Sequence, residues 1–182
     1  GSGACPNASA TVFVTEQPAP NAGNSNSVTR CSSQGPFSMF TFLGGSPQGT
    51  GTWTDQHGLP HSSTFDPAVD SSGTYTYTVT GGSACAPAQA TLTVNLTYQP
   101  NAGNDVDVDV CNTASALELF TLLGPNADQN GTWTDVSGVG AALQNGVLDV
   151  SGLALDTYTF AYVVPGDGPC IGDMATIHVT VG

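Results

Sequence analysis

Positive charge is what this sequence lacks most. Its 182 residues include a single lysine or arginine, Arg30, against 14 aspartates and glutamates, and the formal net charge is -13 at pH 7. Binding to nucleic acids or to anionic membrane surfaces requires clustered lysine and arginine side chains. The composition therefore excludes nucleic acid as a partner. It also excludes Schiff-base catalysis and lysine–asparagine cross-links, because the sequence has no lysine.

Long hydrophobic runs are lacking as well. No stretch reaches the roughly 18 apolar residues of a membrane-spanning helix, so we expect no membrane insertion. The first residues lack the basic region and apolar core of a secretory signal peptide, and we expect a mature chain or an excised fragment. Threonine, serine, glycine, asparagine and valine are abundant, and this mixture favours short strands joined by turns over helices.

The five cysteines show none of the CxxC spacing that is typical of zinc sites. They lie at positions 5, 31, 85, 111 and 170. Disulfides in an oxidising environment are the simplest interpretation, and they predict an extracellular or cell-surface location.

An internal repeat organises the whole chain. PNAGN at residues 20–24 returns at 100–104, and GTWTD at residues 51–55 returns unchanged at 131–135, both 80 positions later. Residues 1–17 match the end of each repeat, because Cys5 and the alternating residues after it align with Cys85 and Cys170 and the strand residues after each. The predicted domains are therefore the last strand of a preceding repeat, 1–17, and two immunoglobulin-like repeats, 18–97 and 98–182.

Alternation of apolar and polar residues predicts the strands of each repeat. Residues 105–110, DVDVDV, give a valine face and an acidic face, and residues 90–96 and 175–181 alternate in the same way. Residues 37–43 and 117–123 fit either one helical turn or a bent strand. Several short strands between turn residues predict an all-β fold of tandem immunoglobulin-like antiparallel β-sandwiches.

Each full repeat holds one early and one late cysteine, which predicts the disulfides Cys31–Cys85 and Cys111–Cys170. Cys5 is the late cysteine of the preceding repeat and is expected to be unpaired in this chain. The pairing requires the early strand to end on the same side of the sandwich as the late cysteine. Residues 27–31 should therefore act as the second strand of an immunoglobulin sandwich. Free thiols and cross-repeat bridges are the alternatives.

Two aromatic pairs recur at matched positions. Trp53 and Trp133 each follow the early cysteine by 22 residues, where an immunoglobulin-like domain packs its indole against a disulfide. Tyr75 and Tyr158 follow a turn and match the tyrosine corner of that fold. All four are predicted to lie in the core. The alternative for the two tryptophans is an exposed platform that stacks on sugar rings.

The order of these motifs resembles a known family. NAGN, VxVC, LFxLLG, GTWTD, GTYTYTVTG and ATLTV, with the two cysteines, are similar to the immunoglobulin-like repeats of large secreted or surface-anchored Bacteroidetes adhesins and fibre-forming proteins. The resemblance covers nearly the whole chain. It implies export by the type IX secretion route and a structural or adhesive array without catalysis. Arg30, at the position matched by Val110, departs from the pattern.

No arrangement of residues predicts a catalytic site, since nothing resembles G-x-S-x-G, and we expect no enzyme. Calcium is the one cofactor that the sequence suggests, because oxygen ligands gather near the start of the second repeat. The candidate ligands are Asn101, Asn104, Asp105 and Asp107. A solvated acidic strand face, which keeps the protein soluble, is the alternative to a metal site.

The sequence favours a non-catalytic structural or adhesive repeat module of a longer extracellular protein. Its expected partners are neighbouring repeats of the same chain and a homo-oligomeric fibre. One alternative is a carbohydrate-binding module that recognises a surface glycan through Trp53 and Trp133. Another is a fibre subunit that assembles by donating the strand at residues 8–15. The solvent exposure of the two indoles distinguishes the module from the carbohydrate binder.

Overall fold

The computed structural model describes residues 3, 9–82, 85–113 and 116–182. Within these ranges the chain forms β-strands, short 3-10 segments and loops, with no α-helix. The predicted all-β fold of tandem immunoglobulin-like sandwiches is confirmed. None of the described helical segments is long and apolar enough to cross a membrane. Cys5 lies outside the described residues.

The first repeat contains seven of the described strands. They are β1 Asn26–Cys31, β2 Phe37–Ser38, β3 Thr52–Thr54, β4 Pro60–His61, β5 Thr64–Phe65, β6 Gly73–Val79 and β7 Ala88–Thr97. The larger sheet has the order β1-β7-β6-β3-β4, and β2 pairs with β5 in a second sheet. Both sheets therefore draw their strands from one copy of the sequence repeat.

The second repeat has the same plan with a different edge. Its strands are β8 Val106–Val110, β9 Leu117–Glu118, β10 Thr132–Asp135, β11 Leu143–Gln144, β12 Val147–Leu148, β13 Thr157–Val164 and β14 Asp173–Val181. They form one sheet in the order β10-β13-β14-β8 and another in the order β11-β12-β9. No described strand flanks β10 on its outer side, whereas β4 flanks its counterpart β3.

The two segments that fitted either a helical turn or a bent strand contain both. A two-residue strand, β2 or β9, runs directly into a 3-10 helix, at Met39–Phe42 and at Leu119–Leu123. The apolar residues of these segments therefore follow neither a strict strand period nor a strict α-helical period, because the backbone changes conformation between them.

The sequence predicted purely antiparallel sheets, but one pair of strands in the second repeat is parallel. β13 and β14 form a long antiparallel hairpin, from Thr157 opposite Thr180 to Val164 opposite Asp173. β8 instead pairs in parallel with β14, with Val110 opposite Val181. The acidic and valine alternation of β8 puts its valines against the core of the second repeat. The first strand of this repeat therefore runs in the same direction as the last.

The core of the second repeat lies between its two sheets. The buried residues of β13 and β14, among them Phe160 and Ile177, pack with Leu119, Leu123 and Leu148 from the other side. Each is at most 1% exposed. Burying one such side chain stabilises the fold by about 1.5–3 kcal/mol, so this cluster is the main source of stability in the repeat.

The described residues fall into two compact units. The first includes the described residues up to Asn26 together with Met39–Ser63 and Thr74–Leu92. The second consists of Ser27–Ser38, Thr64–Gly73 and Thr93–Gly182, and so contains the whole second repeat with parts of the first. The predicted domain bounds 1–17, 18–97 and 98–182 stay a prediction.

Candidate functional site

The glycine of the second GTWTD segment is held by a buried tyrosine. The Gly131 N–H donates to the Tyr162 hydroxyl at 2.9 Å, and that hydroxyl donates to the Asp128 carbonyl at 2.8 Å. A Cβ on Gly131 would lie 2.5 Å from the Tyr162 ring and 2.8 Å from the Val163 carbonyl oxygen. Only glycine fits at this close approach, so the motif is built around packing.

The first repeat repeats this arrangement. The Gly51 N–H donates to the Tyr77 hydroxyl at 2.8 Å, and that hydroxyl donates to the Gln48 carbonyl. Tyr77 and Tyr162 are each 2% exposed. Sequence reasoning singled out Tyr75 and Tyr158 and missed these two, although both stand two or four residues further along the same alternating strand.

The predicted tyrosines occupy other positions. The Tyr158 hydroxyl donates to the Ala154 carbonyl four residues upstream at 3.1 Å, which is the contact of a tyrosine corner. Its side chain is half-buried against the core of the second repeat. Tyr75 is 4% exposed and its ring meets that of His61 edge-on at 4.8 Å.

The aspartate of each GTWTD segment organises the loop after it. Asp55 accepts the N–H groups of His57 and Leu59, at 2.9 and 2.8 Å. The Leu59 N–H is the largest of the influences that lower the pKa of the Asp55 carboxyl. At Asp135 burial acts to raise the pKa, but several backbone N–H groups, foremost that of Gly140, together lower it. Both carboxylates therefore stay ionised as loop anchors.

The two tryptophans differ in exposure. Trp53 is 4% exposed, because β3 lies inside its sheet, where Trp53 is opposite His61 on one side and Tyr77 on the other. Its Nε1 is buried without a hydrogen-bond partner among the described residues. Trp133 is only half-buried, because β10 pairs with β13 alone. Each indole packs on a tyrosine, with ring centroids 5.0 and 4.9 Å apart.

A cleft opens beside Trp133. Its volume is about 670 Å³, and its lining comprises Phe120, Gln129, Gly131, Thr132, Trp133, Asn145 and Tyr162. Aromatic faces beside a few amide groups are typical of sites for small polar ligands. The cleft exists in the second repeat because no described strand covers the outer edge of β10.

The Asn145 side of the cleft is fixed by a tight hairpin. Asn145 and Gly146 join β11 to β12 with φ values of 52° and 84°. Two consecutive residues with positive φ define the type I′ turn that Asn-Gly sequences favour. A Cβ on Gly146 would lie 2.5 Å from the Trp133 Nε1, so only glycine lets this turn sit against the indole.

This asymmetry predicts unequal access to the two indoles. In a Trp53→Phe chain Trp133 is the sole tryptophan, and in a Trp133→Phe chain Trp53 is. We expect acrylamide to quench Trp133 with a several-fold larger Stern–Volmer constant than Trp53, because its edge strand is uncovered. Equal quenching constants in the two folded variants would contradict the structural difference.

The structure joins the two repeats by a disulfide between Cys31 and Cys170, with the Cα atoms 5.0 Å apart. Cys170 follows β13 in the loop before β14, and Cys31 ends β1. The Cys170 Sγ lies 3.3 Å from the Thr97 carbonyl oxygen, and the Cys31 Sγ lies 3.2 Å from the Gln99 Oε1. The Gln99 amide nitrogen donates to the Ile171 carbonyl at 2.8 Å.

The predicted pairs Cys31–Cys85 and Cys111–Cys170 do not form. Cys85 and Cys111 are unpaired among the described cysteines, and Cys111 is exposed. The reason is strand direction. β8 is parallel to β14, so Cys111 lies beside the end of β14 and Cys170 lies before its start. Nine residues of strand span roughly 26 Å, far beyond the roughly 7 Å Cα separation that a disulfide tolerates.

The prediction that residues 27–31 act as the second strand of an immunoglobulin sandwich is also wrong. β1 neighbours β7, the last strand of the first repeat, and the Ser32 N–H donates to the Thr97 carbonyl at 2.9 Å. The early cysteine thus lies at the end of the sandwich from which the chain leaves for the next repeat. The cross-repeat bridge, an alternative at the level of sequence, is the arrangement that this topology permits.

The calcium candidates are engaged in backbone contacts. Asn101 Oδ1 accepts the Gly103 N–H at 2.8 Å, and Asp105 Oδ1 accepts the Thr176 N–H at 2.7 Å. Asp107 lies on β8 opposite His178. Among the described residues, no three histidine, cysteine, aspartate or glutamate side chains are grouped as metal ligands. Of these residues, Asp105 joins the start of the first strand to β14, whereas the Asn101 contact is local and the Asn104 N–H donates to the Leu123 carbonyl.

Comparison with known proteins gives only distant structural likeness. No protein-family model matches the chain, and no curated protein matches it. A three-immunoglobulin structure of titin is similar over 90% of this chain and 64% of its own, at 13% identity and a TM-score of 0.48. Sidekick-1 immunoglobulin domains 1–5 match over 92% of this chain and 40% of theirs, at 15% identity and a TM-score of 0.41.

A third similar structure contains extracellular domains 3–5 of Drosophila OTK. It covers 87% of this chain and 59% of its own, at 13% identity and a TM-score of 0.43. The chain thus spans less than two thirds of the length of each of these three proteins.

Proposed function

We propose that this chain is a non-catalytic, tension-bearing repeat module of an extracellular or cell-surface protein. The observation that carries the proposal is the Cys31–Cys170 disulfide, which links an early cysteine of one repeat to the late cysteine of the next. A disulfide between repeats persists only in an oxidising environment. The sequence resemblance to Bacteroidetes surface adhesins and fibres, exported by the type IX route, supports the same role.

The bridge changes how the chain carries tension. Cys31 and Cys170 are 139 positions apart, so the bridge encloses most of both repeats. Force applied to the two ends passes through the sulfur atoms and leaves the enclosed strands unloaded. A module whose length stays fixed under tension suits a fibre or a stalk. The expected partners are therefore neighbouring repeats of the same chain and other subunits of a fibre.

Single-molecule pulling tests this function. We expect the oxidised chain, held at its two ends, to lack about 500 Å of extension that a reduced chain releases, since the two cysteines are 139 positions apart and each position adds at most about 3.6 Å. Cys31→Ser should release the same length without reducing agent. Cys85→Ser and Cys111→Ser are matched controls that should keep the short extension. Release of the full length by the oxidised wild-type chain would exclude the tension-bearing role.

A second candidate function is glycan binding in the Trp133 cleft. The half-buried indole, with Phe120, Tyr162, Gln129 and Asn145 in the same lining, offers stacking and hydrogen bonding to a sugar ring. The buried Trp53 offers no such surface. The proposed ligand class is therefore a surface oligosaccharide bound by the second repeat alone.

Fluorescence titration of the Trp53→Phe chain tests this candidate. We expect soluble cello-, chito- or malto-oligosaccharides to shift the Trp133 emission, because that indole is the only tryptophan left and it lines the cleft. Asn145→Gly keeps the positive φ of the turn and should weaken the response by removing the amide. An unchanged emission across the whole panel would leave the cleft without a sugar-binding role.

The segment before the first repeat exposes apolar side chains that a neighbouring sheet could cover. Residues 9–17 form no described sheet pairing, and Val12, Phe13 and Val14 are 81%, 91% and 88% exposed. An uncovered apolar segment of this kind suits pairing, as a strand, with the sheet of a preceding repeat or of another subunit. We propose that it forms the last strand of such a neighbour.

A further inference from the structure

The unpaired late cysteine lies in the same surroundings as the paired one. The Cys170 Sγ is 3.3 Å from the carbonyl oxygen of Thr97, the last residue of β7. The Cys85 Sγ is 4.0 Å from the carbonyl oxygen of Gln17. Gln17 precedes the PNAGN segment of the first repeat by the same three positions as Thr97 precedes that of the second. Each late cysteine thus contacts the segment that enters its repeat.

The backbone around the two late cysteines also matches. The Cys85 N–H donates to the Gly82 carbonyl and the Cys170 N–H to the Asp167 carbonyl, both at 2.9 Å and three residues back. The loop that presents the thiol is therefore built in the same way in both repeats, although only Cys170 has a sulfur partner among the described residues.

The early cysteines match in turn. The residue after each donates its N–H to the end of the last strand of its own repeat: Ser32 to the Thr97 carbonyl at 2.9 Å, and Asn112 to the Gly182 carbonyl at 3.1 Å. Cys31 is 1% exposed in its bridge, whereas Cys111 is exposed. Cys111 therefore stands where Cys31 stands, without a following late cysteine beside it.

We propose that Cys85 and Cys111 are half-cystines for adjacent repeats, and that the pairing rule joins the early cysteine of each repeat to the late cysteine of the next. Cys111 then pairs with the late cysteine of a repeat joined after Gly182, and Cys85 with the early cysteine of a preceding repeat. Successive bridges overlap along the chain. While every disulfide is intact, a repeat of such an array extends only by the short segment between a late cysteine and the next early cysteine, here residues 86–110.

The bond formation is a two-electron oxidation. Two thiols lose two protons and two electrons to form one S–S bond, and a small disulfide such as oxidised glutathione accepts them and becomes two thiols. This inference rests on the tension-bearing function, because it extends the Cys31–Cys170 bridge to a series. The Cys31–Cys170 bridge tests the tension-bearing function, whereas the partner of Cys111 tests the pairing rule.

A lengthened chain provides the test. Residues 98–182 are appended directly after Gly182, since Gly182 matches Thr97 and the next residue then matches Tyr98. The appended copy carries Thr113→Ser and Ile171→Val, two exposed positions that mark its cysteine peptides by mass. The chain is folded in a glutathione redox buffer, and the remaining thiols are alkylated.

Trypsin with a protease that cleaves before aspartate separates every cysteine. Because Arg30 is the only tryptic site, Cys5 and Cys31 fall in 1–30 and 31–54. The other three fall in 70–104, 109–127 and 167–172. We expect the original 109–127 peptide to be linked to the marked 167–172 peptide, with the original 31–54 and 167–172 peptides linked as before.

Each outcome is decisive. A link between the marked 109–127 and marked 167–172 peptides, or a free thiol in the marked 167–172 peptide, would overturn the pairing rule. Loss of the link between the original 31–54 and 167–172 peptides would instead count against the tension-bearing function.

A second variant needs no lengthened chain. In Cys31→Ser we expect Cys170 to remain alkylatable, because Cys111 of its own repeat lies at the other end of β14. A Cys111–Cys170 disulfide in that variant would also overturn the rule.

Discussion

Tyr162→Ala should lower the free energy of unfolding by about 3–5 kcal/mol, the usual range for truncating a buried aromatic side chain. Tyr162 is 2% exposed, and its ring lies against both Trp133 and Phe120, with centroids 4.9 and 5.5 Å away. The truncation also leaves the Gly131 N–H and the Asp128 carbonyl without their shared partner. Urea unfolding, followed by Trp133 fluorescence in the Trp53→Phe chain, measures the loss.

Two further variants divide this effect into packing and hydrogen bonding. Tyr162→Phe keeps the ring and should cost about 1–3 kcal/mol, since only the hydrogen-bond partners are lost. Tyr98→Ala is the matched control, because Tyr98 is 80% exposed and should stay within about 0.5 kcal/mol of the parent. If Tyr162→Ala is no less stable than Tyr98→Ala, the tyrosine does not hold the core of the second repeat.

Removing the cross-repeat bridge should have the second large effect. Cys31→Ser and Cys170→Ser each open a loop of 139 positions, which the chain-entropy model values at about 5 kcal/mol. The loss arises in the unfolded chain, which gains freedom once its ends are no longer tied. Chemical unfolding of the oxidised variants against the oxidised parent measures the difference.

The unpaired cysteines supply the controls for this prediction. Cys85→Ser and Cys111→Ser should leave stability nearly unchanged, because neither thiol is bonded to another described cysteine. The double variant Cys31→Ser with Cys170→Ser should be no less stable than either single variant, since both remove one bond. If the single variants Cys85→Ser and Cys31→Ser both lose several kcal/mol of stability, the bridge lies within the first repeat instead.

Local patterns made the fold predictable. The alternation in residues 105–110 and 175–181 gives one apolar face to each strand whatever the strand pairs with, and it placed β8 and β14. The exact return of GTWTD predicted one small fold used twice. It did not reveal that Tyr77 and Tyr162 bind the glycine of each GTWTD segment. Each of the two strands has two tyrosines on the same face, and alternation does not show which of the two contacts the glycine.

The alternation of residues within a strand did not predict the direction in which that strand pairs with its neighbours. Cys111 and Cys170 fit the second repeat as a pair, but the bond depends on which end of the sandwich each cysteine reaches, and the parallel pairing of β8 with β14 puts Cys111 at the far end from Cys170. Trp53 and Trp133 have the same neighbours in sequence and differ in exposure, because one edge is covered by a described strand and the other is not.

The sequence by itself determined the β-class and the two repeats, since these depend on local alternation, on glycine and on composition. Only the tertiary structure decided that Cys31 meets Cys170, that Cys85 and Cys111 stay open among the described cysteines, and that Trp133 rather than Trp53 lines a cleft. The physical reason is that strand direction and edge coverage are set by contacts between residues far apart in the chain.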